Sequence, residues 1–146
     1  SSAASDVYKR QAYKEMNVYK LFVLDVGLLG AMSDLDAMSI LEGNDIFVEF
    51  KGALTEQYVL QQIISDTKYT PYYYGTEKAT FEQDFMIQMG KDVVPIEVKA
   101  ETNLKSQSLK CYCEKYHPQK AIRFSAKKYI DQGWMKNVPL YAVCTL

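Results

Sequence analysis

Cysteine, histidine, proline and long apolar runs are all scarce in this 146-residue chain, and each scarcity excludes a class of function. Three cysteines make no disulfide framework. On a helix, Cys111 and Cys113 would point about 200° apart, too divergent to bridge or to share a metal. A reducing, cytoplasmic setting is therefore expected. The single histidine, His117, precedes Pro118 and has no second histidine to join in a nucleophile–histidine or histidine–metal site. No apolar run approaches the roughly 18 residues of a membrane-spanning helix. The N-terminus shows no charged stretch followed by an apolar signal core. The phosphate-binding pattern GxxxxGK[ST] is missing, so nucleotide binding is not expected of this chain. There is no internal repeat and no low-complexity segment.

What remains is the composition of one globular domain. Hydrophobic residues make up 48% and charged residues 24%, and twelve tyrosines suit half-buried strands. The net charge of −1 conceals an asymmetry. Leu21 to Val98 carries 13 acidic and 4 basic residues, whereas Lys99 to Lys136 carries 3 acidic and 9 basic ones. The first stretch can hold a cation and the second can face an anion such as phosphate. Two solvated faces would give the same imbalance.

Residues Ser1 to Gln11 (SSAASDVYKRQ) match nothing that follows in periodicity and resemble a translated adapter tail. The native chain is then expected to continue upstream. Tyr19 to Leu24 reads as a buried strand, with Asp25 capping a helix that begins DVGLLGAM. Ser33 to Leu41 reads as a second short helix, stopped at Gly43-Asn44-Asp45. Phe50 to Ser65 is the strongest helix, with an apolar stripe of Val59, Leu60, Ile63 and Ile64. Strands are expected over Tyr69–Tyr74, Phe81–Met89 and Val93–Ala100, the last two joined at Gly90-Lys91-Asp92. A helix over Leu104–Lys115 follows, then a strand over Ala121–Ser125, a loop or short helix around Lys128–Trp134, and a final strand over Leu140–Cys144. From Phe50 the order is α-β-β-β-α-β, an α/β arrangement with a mixed central sheet. Residues 12–49 then form a linker with short helices, and 50–146 the domain proper.

Three acids and a lysine stand out. Glu56 falls within the apolar stripe of its helix, where a carboxylate needs a cation, a metal or hydrogen bonds. Glu97 and Lys99 share one face of the strand VVPIEVKA, opposite Val94, Ile96 and Val98. The turn at Gly90–Asp92 brings Asp84 to the neighbouring strand. Phosphodiester hydrolysis needs a hard cation to polarise phosphate and acidify water, and Mg²⁺ takes carboxylate oxygens for this. Glu56, Asp84 and Glu97 are the candidate metal ligands, for Mg²⁺ or Mn²⁺. Asp84, Glu97 and Lys99 are the candidate catalytic residues, with Lys99 orienting water and countering charge on phosphorus. Lys105, Ser106, Ser108 and Lys110 can contact phosphate near a helix start. Tyr72, Tyr73 and Tyr74 can stack on bases, although half-buried strands use tyrosine in the same way. Trp134, with Pro139 and Tyr141, is expected to pack the far edge of the sheet.

Five segments carry a resemblance to a known family: YKLFVLDVGLL, FKGALTEQYVLQQI, FEQDFMIQ, VVPIEVKAETNLKSQSLKCYCEKY and GWMKNVPLYAV. Together they resemble the uncharacterised C-terminal domain of bacterial and archaeal AAA-type ATPases. The resemblance implies a PD-(D/E)xK, restriction-endonuclease-like fold, with Asp84, Glu97 and Lys99 at the motif positions and Glu56 at the helix position. It also implies that residues 12–49 close an upstream ATPase region. The function expected is metal-dependent cleavage of DNA. Two rivals remain: a non-catalytic module that binds nucleic acid or protein for the ATPase, and an ion-pair cluster that only fixes the hairpin.

Overall fold

In the computed structural model, the structure describes residues 20–34, 45–75, 82–100 and 105–146, the side chains of 45–49 excepted. Residues 20–25 carry no regular secondary structure, where a strand was expected. The reason lies in how their backbone is satisfied. Val23 donates its N–H to Gln57 Oε1 at 3.1 Å, and Gln57 Nε2 donates to the Val23 carbonyl at 2.9 Å. Gln61 Oε1 accepts from Val26 N at 3.1 Å. Buried side-chain amides thus do what a neighbouring strand would otherwise do. Asp25 caps helix α1 (Val26–Met32) as expected, its carboxylate accepting from Leu28 N at 2.8 Å. Ser33 ends that helix; the rest of the expected helix to Leu41, together with Gly43 and Asn44, lies outside the described residues.

Helix α2 runs Asp45–Asp66, five residues longer at its start than its apolar pattern indicates. Val59 and Ile63 are fully buried, but Ile64 is 63% exposed, so the stripe is narrower than expected and is flanked by buried Gln57. The strands are β1 (Tyr72–Tyr74), β2 (Gln83–Met89), β3 (Asp92–Lys99), β4 (Ile122–Ser125), β5 (Ile130–Asp131) and β6 (Lys136–Pro139). They form a single mixed sheet in the order β1-β2-β3-β4-β6-β5. β2 and β3 pair antiparallel across a two-residue turn headed by Gly90 at φ +63°, a backbone value that favours glycine. β3 pairs β4 in parallel, so a crossover is required, and α3 (Gln107–Tyr116) supplies it.

The C-terminal end differs from expectation. Leu140–Thr145 is a 3-10 helix, and the last strand is β6. Pro139 lacks the N–H needed to extend the ladder, and it turns the chain out of the sheet so that Val143 is buried beside α2. Trp134, expected to be packed, is 42% exposed.

One core lies between α2, the 3-10 helix and the sheet: Val59, Ile63, Phe85, Ile87, Val94, Ile96, Val98, Ile122, Phe124 and Val143. A smaller one, Leu109, Ala121 and Met135, lies under α3. Among the described residues, no helix is long and apolar enough to cross a membrane. Ile63→Ala should cost about 3 kcal/mol in urea unfolding through the cavity it leaves, whereas Ile64→Ala should stay within about 0.5 kcal/mol.

Candidate metal and catalytic site

The strand register builds the site. Glu97 pairs with Arg123 of β4, and Arg123 with Asn137 of β6, so one row of polar side chains crosses three strands. Alternation sends this row to the face opposite the main core, because Ile96, Ile122 and Phe124 belong to that core. The β2–β3 ladder ends at Phe85↔Ile96, one residue before Asp84 and Glu97 would pair. At that frayed end the Asp84 carboxylate takes the place of a ladder carbonyl, with Oδ2 accepting from Val98 N at 2.8 Å. Asp84 is thus fixed between the two faces of the sheet.

On the α2 side, Glu56 Oε2 pairs with Lys20 Nζ, which also reaches Asp84 Oδ1 at 3.8 Å. Glu56 is therefore partly buried and paired, as its place on the helix requires. On the other side, Lys99 Nζ meets Glu97 Oε1 at 2.9 Å. Glu97 is only 6% exposed, and its Oε2 has no hydrogen-bond partner among the described residues. Gln83 Oε1, next to Asp84 in sequence, is buried and equally unpartnered. A buried acceptor without a donor is costly, and a cation or a bound donor relieves it.

The electrostatics follow from this crowding. Burial, reinforced by Glu56, pushes the Asp84 carboxyl up to about 6; the Val98 N–H and Lys20 pull it down, and Glu97 pushes it up. Burial lowers the Arg123 guanidinium, while Glu97 beside it acts in the opposite sense. Burial, then Glu82, Asp84 and Glu56, push the Tyr73 hydroxyl up.

Sequence reasoning did not identify Arg123 and its surroundings. Arg123 Nε donates to Asn137 Oδ1 at 2.9 Å, and Nη1 to Ser106 Oγ at 3.1 Å. Ser125 Oγ donates to the same Asn137 oxygen at 2.8 Å, while Asn137 Nδ2 donates to the Lys127 and Lys128 carbonyls at 3.3 and 2.9 Å. A lone charge inside the apolar strand AIRFS was the available signal. Lys20 gave none, since it sits on an irregular segment.

The structure brings Asp84 to both groups but does not gather the three acids around one point. Among the described residues, no group of three or more His, Cys, Asp or Glu side chains is placed to hold a metal ion. Of the anticipated phosphate contacts, Ser106 is buried and holds Arg123, Lys110 is exposed and pairs with Glu114 at 3.9 Å, and Lys105 is exposed just before α3. α3 starts at Gln107, later than expected, with Ser106 as its N-cap. His117 ends α3 at φ +48°. Tyr74 packs edge-on to Tyr112 at 5.5 Å, and its hydroxyl lies 3.0 Å from that of Tyr116.

The model of one family, Domain of unknown function (DUF4143), matches residues 51–144, and the chain belongs to that family. No curated protein and no solved structure matches the chain.

Because Asp84 is held near 6 against 3.8 for a free carboxyl, the folded protein binds its proton more tightly than the unfolded chain does. The resulting stability is complete below pH 3.8 and is lost as pH rises through about 6. The difference is worth about 3 kcal/mol. Asp84→Asn should flatten this fall in metal-free urea titrations and leave the protein the more stable of the two at pH 7.

Proposed function

We propose that this member of the family is a metal-dependent nuclease domain of the PD-(D/E)xK, restriction-endonuclease-like kind, acting on DNA and belonging to an AAA-type ATPase. The observation that carries this reading is Glu97 Oε2, a buried carboxylate oxygen without a partner, in register beside Asp84 and followed by Lys99. The donor chemistry suits Mg²⁺ or Mn²⁺: hard carboxylate oxygens, no cysteine, no histidine. Glu56, Asp84 and Glu97 would hold the ion, which when bound polarises phosphate and acidifies water.

The chain's own residues divide the remaining work. Asp84 is held by Val98 N–H, so its free oxygen has a fixed direction. Lys99, held by Glu97, keeps an ammonium 31% exposed at the rim, where it can orient a nucleophilic water and meet charge building on phosphorus. Arg123 sits behind Glu97, fixed by Asn137 and Ser106, and it holds the start of α3 against the same row. The basic stretch after Lys99 provides the surface for an anionic backbone.

The ion pairs Lys99–Glu97 and Lys20–Glu56 also fit a second reading, in which the cluster only fixes the hairpin. Plasmid nicking separates the two. With Mg²⁺ or Mn²⁺ the protein should nick DNA, and Lys99→Ala or Asp84→Ala should lower the rate by about 10²-fold or more. Equal activity in those variants would sink the nuclease assignment.

A further inference from the structure

The Lys20 ammonium is enclosed on several sides. It pairs with Glu56 Oε2, approaches Asp84 Oδ1 at 3.8 Å, and stands 5.9 Å from the ring centroids of both Phe22 and Tyr73. Two carboxylates and two aromatic faces thus surround one cation. Lys20 is delivered there by a fixed strap. Gln57 bonds both backbone groups of Val23, Gln61 takes the N–H of Val26, and Phe22 packs on Phe85 with ring centroids 5.6 Å apart. Gln57 is 2% exposed, so this attachment lies within the packed part of the fold.

The position matters because of what it occupies. Glu56 and Asp84 are two of the three acids assigned above to a divalent cation, and their charge is already met by a tethered monovalent one. The third, Glu97, keeps one oxygen without a partner. A cation that drew all three together has to displace Lys20 first, because both would stand between Glu56 and Asp84.

We propose that Lys20 is a site residue: a built-in counter-ion that holds Glu56 and Asp84 in the metal-free protein, gives way to a divalent cation, and so sets the affinity of the site. The inference rests on the metal-site reading above. Displacement makes the apparent affinity the intrinsic one multiplied by the fraction of molecules with Lys20 withdrawn. The exchange also removes one positive charge from the carboxylates as it adds two, so the loaded site is left with more positive charge for an anionic substrate.

The test uses the whole chain and Mn²⁺ alone. By calorimetry, Lys20→Met should bind Mn²⁺ about 10-fold or more tightly than the wild type, while Lys20→Arg stays close to it. Without metal, Lys20→Met should melt lower than the wild type, and Mn²⁺ should raise its melting temperature by more. In the unaltered protein, trace acetylation read by mass spectrometry should label Lys20 faster once Mn²⁺ is added. If the wild type binds Mn²⁺ but Lys20→Met binds no more tightly and Lys20 labelling is unchanged, Lys20 has no such role and the metal site stands. If neither protein binds Mn²⁺, the metal site falls, and the exchange with it.

Discussion

Carboxylates gathered at the frayed end of a sheet need positive charge or hydrogen bonds, and that requirement organises this molecule. Asp84 lies one step beyond the last β2–β3 pair, where the backbone no longer supplies partners. Its carboxylate caps Val98, Lys20 covers it from the α2 side, and Lys99 and Arg123 stand by Glu97 on the other. Each cation arrives on a different element: a strap, a strand end and a neighbouring strand. The packing of α2 and α3 on opposite faces lets all of them meet at one edge.

The price of that concentration is visible in the groups left imperfectly matched. Asp84 is held near 6, and Glu97 and Gln83 each keep a buried oxygen without a partner among the described residues. Elsewhere the buried polar groups are well served, as the Arg123–Asn137–Ser125 network shows. Unmet demand confined to one sheet edge is what a ligand-binding site looks like before its ligand arrives. The family to which the chain belongs carries no assigned function in its description, so this local chemistry is the argument available.

Much of the framework was legible in the sequence. Period-two alternation found β2 and β3, the glycine turn joined them, and the i, i+2 spacing put Glu97 and Lys99 on one face. Asp25 announced the start of α1 through its capping chemistry. The misreadings have physical causes. YKLFVL looks like a strand because it is apolar, but Gln57 and Gln61, more than thirty residues away, satisfy its backbone instead. LYAVC looks like a strand for the same reason, yet Pro139 ends the ladder before it. Ile64 fits the helical stripe by angle but lies beyond the edge of what the sheet covers. The site was legible as a list of residues and not as an arrangement. Nothing local shows that Lys20 would stand between Glu56 and Asp84.

The most direct test of the central claim is a titration of the ¹⁵N-labelled protein with substoichiometric Mn²⁺, followed by paramagnetic broadening of backbone amide signals. A cation bound at this sheet edge should extinguish the signals of Asp84, Glu97, Val98 and Glu56 first, with those of β5 and the Tyr112–Tyr116 end of α3 preserved. Broadening spread evenly over the surface acids, or absent from these four residues, would contradict the account.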